Sequence, residues 1–89
     1  MITLNITIIN KLGLHARAAA KFVSTASAYG CQITVIKDQQ RVDGKSIMSV
    51  MMLAASKGTE LSIEFDGNDA EVAKEALATL INNCFDEEE

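Results

Sequence analysis

Apolar residues in this chain switch between two spacings, and few folds accommodate that switch. Ile2, Leu4, Ile6 and Ile8 alternate with Thr3, Asn5 and Thr7, the period of a half-buried strand. From Ala16 the period lengthens: Ala19, Phe22, Val23 and Ala26 occupy one face of a helix that ends near Gly30. Cys31, Ile33 and Val35 return to alternation as a second strand, and Lys37-Asp38-Gln39-Gln40 turns it into a short third strand around Arg41-Val42, broken by Asp43-Gly44. Ser46 is placed to cap a short helix running to about Ala55 and stopped by Gly58. Leu61, Ile63 and Phe65 form a fourth strand closed by Asp66-Gly67. A last helix carries the stripe Ala73, Ala76, Leu77, Leu80, Ile81 and Cys84, with Asn68 and Glu71 at capping-box spacing.

The order is βαββαβα. Strands that alternate have one buried face and one that meets water, which favours an antiparallel sheet. Three apolar-striped helices covering that one face make an open-faced, two-layer α/β (α+β) sandwich with a four-stranded antiparallel sheet. The 89 residues contain no proline, no low-complexity segment and no internal repeat, so a single domain over 1–89 is expected. Aromatics make up only 4% of the chain, so the core must be aliphatic.

Twelve acidic against eight basic residues give a net charge of -4, which argues against general nucleic-acid binding. Cys31 and Cys84 lie in apolar patterns without metal-ligand spacing and read as buried free thiols; no metal or cofactor is expected. Met1–Ile9 does not form the apolar block of a secretory leader, and no apolar run reaches the ~20 residues of a membrane span. The expectation is a cytoplasmic monomer, ending in an acidic, frayed tail at Asp86–Glu89.

The single histidine, His15, falls where Gly13-Leu14 gives way to the first helix. No Ser, Thr, Asp or Asn occupies positions 14 to 16, so the first-turn N–H groups lack an ordinary side-chain cap and form an anion site. An imidazole there can carry a phosphoryl group, its charge stabilised by the positive end of the helix dipole. Arg17 stands in the first turn against the usual dipole preference, which makes better sense if an anion visits; Lys11 and Lys21 add positive charge nearby. The plainer alternative is an exposed helix cap beside a solvated arginine, because a lone His-x-Arg is a weak signal.

Two longer motifs add to this. The run Asn10-Lys11-Leu12-Gly13-Leu14-His15-Ala16-Arg17-Ala18-Ala19 resembles the active-site segment of the HPr family, the phosphocarriers of the bacterial phosphoenolpyruvate-dependent phosphotransferase system. Gly44-Lys45-Ser46-Ile47-Met48-Ser49-Val50-Met51 resembles the family's regulatory-serine segment. The resemblance covers nearly all of the chain and implies the same βαββαβα fold. It implies that His15 takes a phosphoryl group at Nδ1 from phosphorylated enzyme I and passes it to an enzyme IIA, and that Arg17 stabilises it. It further implies that Ser46 is the target of a dedicated serine kinase in some bacteria. Such a carrier is a phosphoryl-transfer intermediate, not a self-sufficient enzyme.

One residue departs from the pattern: Ala18 stands where the family usually has proline. Alanine keeps the helix and costs about 0.4–1 kcal/mol through a freer unfolded chain. This departure and the acidic ending also resemble the nitrogen-branch NPr relatives, so sugar uptake and nitrogen or metabolic regulation both stay open.

The helix after Ser46 holds more apolar residues than one buried stripe needs. Val50, Leu53 and Ala54 suffice for the core, which leaves Ile47, Met48, Met51 and Met52 for other faces. Ile47, Met48 and Met51, with Lys45 and Arg17 supplying charge, are the expected docking residues. Two other classes compete. One is a regulatory protein-binding module controlled through Ser46, without phosphoryl transfer. The other is a small phosphate hydrolase, which needs a water-positioning group; no Asp, Glu, Asn or Gln falls between Lys11 and Gly30.

Overall fold

The computed structural model describes residues 1–87. Strand β1 (Ile2–Thr7) leads into α1 (Ala16–Ser27), β2 (Gln32–Lys37), β3 (Gln40–Asp43), α2 (Ile47–Met52), β4 (Glu60–Asp66) and α3 (Ala70–Asn82). The four strands form one antiparallel sheet in the order β1-β4-β2-β3. This is the expected two-layer sandwich.

Register explains why only one face needs covering. Phe65 pairs with Ile2 on one side and Ile33 on the other, and Ile63 with Leu4 and Val35, which lines these apolar residues up on the helix-facing side. On the opposite face Glu64 pairs with Thr3 and Thr34, and Ser62 with Asn5. That face carries its own polar links, Ser62 Oγ donating to Asn5 Oδ1 at 2.7 Å and Arg41 to Glu64 at 2.6 Å. Ala19, Phe22, Val23 and Ala26 of α1 and Ala73, Leu77 and Ile81 of α3 seal the apolar face, with Val50 and Leu53 closing the side. Each fully buried Leu, Ile, Val or Phe contributes about 1.5–3 kcal/mol by leaving water. No helix among the described residues is long and apolar enough to cross a membrane.

Several boundaries differ from the sequence reading, each through a tertiary contact. Helix α2 stops at Met52 instead of near Ala55, because Leu53 caps it and Ala54 turns left-handed at φ 51°. Ala54 is consequently exposed, and Ala55 fills the buried position instead. Lys37 Nζ takes up the Leu53 carbonyl at 2.9 Å. The capping box at Asn68 and Glu71 does not form. Asp69 occupies the cap position of α3, and its carboxylate accepts the Gly30 and Cys31 N–H groups at 2.7 and 2.9 Å instead of capping its own helix. Cys31 is buried, but Cys84 is only half-buried, because the chain leaves the α3 line there. In α3 itself Ala76 and Leu80 flank the stripe half-exposed.

Candidate functional site

The loop before α1 is held at both ends by backbone and amide hydrogen bonds. Leu14 N–H donates to the Ala55 carbonyl at 2.8 Å, tying the loop to the chain that follows α2. Gly13 makes that approach possible. Its φ is 67°, and a Cβ there would overlap the Ala55 carbonyl oxygen and lie 2.8 Å from Ser56 Cα. Asn10 is fully buried beneath the loop, and its Nδ2 donates to the Gly13 carbonyl at 2.8 Å.

His15 is the cap residue of α1, in extended conformation, with no side-chain cap bond. The first helical bond runs from Ala19 N–H to the His15 carbonyl at 2.8 Å, so the N–H groups of Ala16, Arg17 and Ala18 precede the helical ladder. Proline would fit at Ala18 for that reason; alanine, fully buried here, keeps one more N–H at this end. The imidazole is about a quarter exposed, at 24%. Arg17 is exposed and its guanidinium makes no hydrogen bond among the described residues, which leaves it available to an anion.

Sequence reading missed the partner of the imidazole. Glu87 Oε2 lies 2.6 Å from His15 Nε2, and Asn10 Nδ2 donates to Glu87 Oε1 at 3.1 Å. Partial burial pushes the Glu87 carboxyl up, but hydrogen bonds from His15 and Asn10, with the imidazole and the Arg17 guanidinium nearby, outweigh it and hold it below the usual carboxylate range. The expected frayed tail is therefore ordered through Glu87; residues 88 and 89 lie outside the described residues. The hydrolase argument from the absence of carboxylates in the loop and α1 also fails, since the fold imports one. Both oxygens of that carboxylate are engaged, however, on the Nε2 side of the ring.

A left-handed turn delivers Glu87. Cys84, Phe85 and Asp86 have φ values of 54°, 54° and 63°, a conformation that costs about 1–2 kcal/mol per non-glycine residue. Burial of the Phe85 ring offsets this, as does Lys21 Nζ donating to the Phe85 carbonyl at 2.7 Å. No local pattern marks such a turn. The signal for Asn10 was available: a polar residue directly after the apolar Ile8-Ile9.

The remaining expected site residues surround α2. Ser46 caps it, its Oγ accepting the Ser49 N–H at 3.3 Å. Ile47, Met48, Met51 and Met52 are all exposed, Met48 at 72%, and Leu12 of the histidine loop adds a further apolar side chain at 67%. Lys45 has a structural duty as well: its Nζ donates to the Tyr29 carbonyl at 2.7 Å, capping the chain just beyond α1.

A family profile described as the PTS HPr component phosphorylation site matches residues 2–83. The chain is 60% identical over 90 residues to the phosphocarrier protein HPr of Pseudomonas aeruginosa, covering 100% of both proteins. It is 54% identical over 89 residues to that of Neisseria meningitidis serogroup A, again covering 100% of both. The crystal structure of HPr-C-His from Thermoanaerobacter tengcongensis superposes with a TM-score of 0.96 at 47% identity, over 100% of each chain. The loop, helix start and sheet described above are thus a shared design, and the chain belongs to the HPr family, the phosphocarrier proteins of the phosphotransferase system.

Proposed function

We propose that His15 is the residue that carries the phosphoryl group, taken from phosphorylated enzyme I and passed to a histidine of an enzyme IIA. One observation carries this reading: the chain's only histidine stands part-exposed at a helix start without a side-chain cap, beside an arginine with no hydrogen-bond partner among the described residues. Phosphoryl transfer asks mainly for positioning and charge stabilisation, and the helix start and Arg17 supply both. Transfer is a displacement in which the imidazole lone pair forms an N–P bond as the donor nitrogen recovers its own pair. Arg17 and the first-turn N–H groups face the charge on the phosphoryl oxygens.

Family membership carries interaction with the enzymes of the phosphotransferase system. The exposed side chains of Ile47, Met48 and Met51 form the docking face, with Lys45 at its edge, and the protein works as a cytoplasmic monomer. Ser46 is the regulatory phosphorylation site: a phosphate there keeps its place at a helix start but sets negative charge within the docking face.

The test is incubation with enzyme I, Mg²⁺ and phosphoenolpyruvate, followed by intact-mass analysis of the wild type and His15→Ala. One acid-labile phosphoryl group on the wild type, absent from the variant, is the expected result. Absence of transfer from both the sugar-branch and the nitrogen-branch enzyme I overturns the carrier reading in favour of a regulatory binding module. Transfer from one enzyme I only also assigns the branch.

A further inference from the structure

The methionines of this chain are unevenly placed. Three of the four, Met48, Met51 and Met52, lie on the six-residue helix α2, and the fourth is Met1. Met51 and Met52 stand three and four residues after Met48, so the three share one side of the helix. Val50 is the residue of α2 that turns fully into the core. Met48 is 72% exposed, Met52 69% and Met51 38%, and with Ile47 they are the exposed apolar side chains of this helix. A thioether differs from leucine or isoleucine in a way that matters on such a surface. Its sulfur is oxidised to a sulfoxide by peroxide, and the product is polar, chiral and enzymatically reducible.

We propose that Met48, Met51 and Met52 form a reversible oxidation site through which a hydroperoxide turns off docking to enzyme I. The inference rests on the carrier reading above and on its docking face. In the step, the sulfur lone pair attacks one oxygen of hydrogen peroxide, the S–O bond forms and the O–O bond breaks. The departing oxygen takes up the proton of the transferred one and leaves as water; sulfur is oxidised by two electrons and the peroxide is reduced. In the free protein the sulfoxide oxygen stays hydrated, because these side chains face solvent and fill no core position. The fold is therefore undisturbed. In a docked complex the same oxygen loses its water, and a partner surface shaped for apolar contact gives it no donor in exchange. The exposure that admits the oxidant also admits the sulfoxide reductases, so the change is reversible.

The test treats the wild type and a variant combining Met48→Leu, Met51→Leu and Met52→Leu with hydrogen peroxide. Leucine keeps an apolar side chain of similar volume and removes the sulfur. Catalase removes the peroxide before enzyme I and phosphoenolpyruvate are added, and each protein is compared with its own untreated sample. Peptide masses should show one oxygen added at Met48 and Met52 before Met51, in the order of exposure. The KM of enzyme I for the oxidised wild type should rise about tenfold while kcat and the thermal midpoint hold. Treatment with the two methionine sulfoxide reductases, one for each epimer, should bring KM back. The leucine variant should show no change on peroxide treatment. Met1, which lies beside Gln32 and Glu64, is oxidised in both proteins and cancels. A wild type oxidised at all three positions with unchanged KM overturns the proposal and leaves the carrier reading intact. So does a leucine variant that loses as much as the wild type, which would assign the effect to another residue such as Cys84. If the variant transfers too slowly to compare, the reductases decide on the wild type alone, since they repair methionine and not cysteine, and a KM that stays raised overturns the site. An untreated wild type that takes no phosphoryl group from either enzyme I overturns the carrier reading, and the oxidation site with it.

Discussion

His15 Nε2 and Glu87 Oε2 stand 2.6 Å apart although 72 positions separate the two residues in the chain. The contact depends on a buried phenylalanine, a strained turn and a lysine on α1, so the chemistry at the histidine is tied to the packing of the C-terminal segment. Disturbing that segment therefore has consequences at the site.

Phe85→Ala removes the buried anchor of the turn while leaving the strain of the left-handed residues on either side. A loss of about 3–5 kcal/mol in urea unfolding is expected. In the folded fraction, the Nε2–H signature of the His15–Glu87 contact weakens with it, since polar bonds such as Lys21 Nζ to the Phe85 carbonyl are then left to hold the turn without its buried anchor.

Gly13→Ala forces a Cβ into the Ala55 carbonyl at a backbone angle that L-residues rarely adopt. Overpacking and left-handed strain together cost about 2–4 kcal/mol. Because Leu14 N–H must still reach Ala55, the loop moves and His15 with it. Phosphorylation of the folded variant should slow, measured as the initial rate with enzyme I.

Arg17→Gln leaves stability within about 0.5 kcal/mol, since the guanidinium is exposed and forms no hydrogen bond among the described residues. The rate of phosphoryl acceptance should fall about a hundredfold. Arg17→Lys recovers only part of it, because an ammonium cannot grip two phosphoryl oxygens with a planar fork. A lysine variant at full rate would show that charge alone is enough.

Ser46→Asp and Ser46→Ala separate the cap from the charge. Aspartate caps as well as serine, so Ser46→Asp keeps its stability but slows transfer from enzyme I about tenfold through repulsion at the docking face. Ser46→Ala loses the bond to Ser49 N–H and about 1 kcal/mol, and transfers at the wild-type rate.

The stability of the fold also has an acid limit that involves Asp69. The Gly30 N–H, with further bonds from Cys31, holds its carboxyl below the usual range. A depressed folded-state value means that the stabilisation is fully present above the ordinary carboxylate pKa of about 4. It is lost as the pH falls through the lowered value. Urea midpoints of the wild type and Asp69→Asn should thus differ at neutral pH and converge as the pH is taken below about 4. A constant gap down to pH 2 would exclude this linkage.

The sequence by itself determined the sheet, the helices and the histidine. The alternation through Ile33, Val35, Leu61, Ile63 and Phe65 decides which face is buried, and the spacing of Ala19, Phe22, Val23 and Ala26 decides what covers it. The uncapped start at His15 and the cap at Ser46 were legible for the same reason: periodicity and capping concern residues within a turn or two of one another. Only the tertiary structure decided which distant groups meet. Asp69 left its own helix for Gly30 and Cys31, Lys21, Lys37 and Lys45 went to the carbonyls of Phe85, Leu53 and Tyr29, and Glu87 came to His15. A polar side chain at the end of an element is equally suited to water or to any donor within reach. Which one it takes is fixed by how the elements pack, and no local spacing records that.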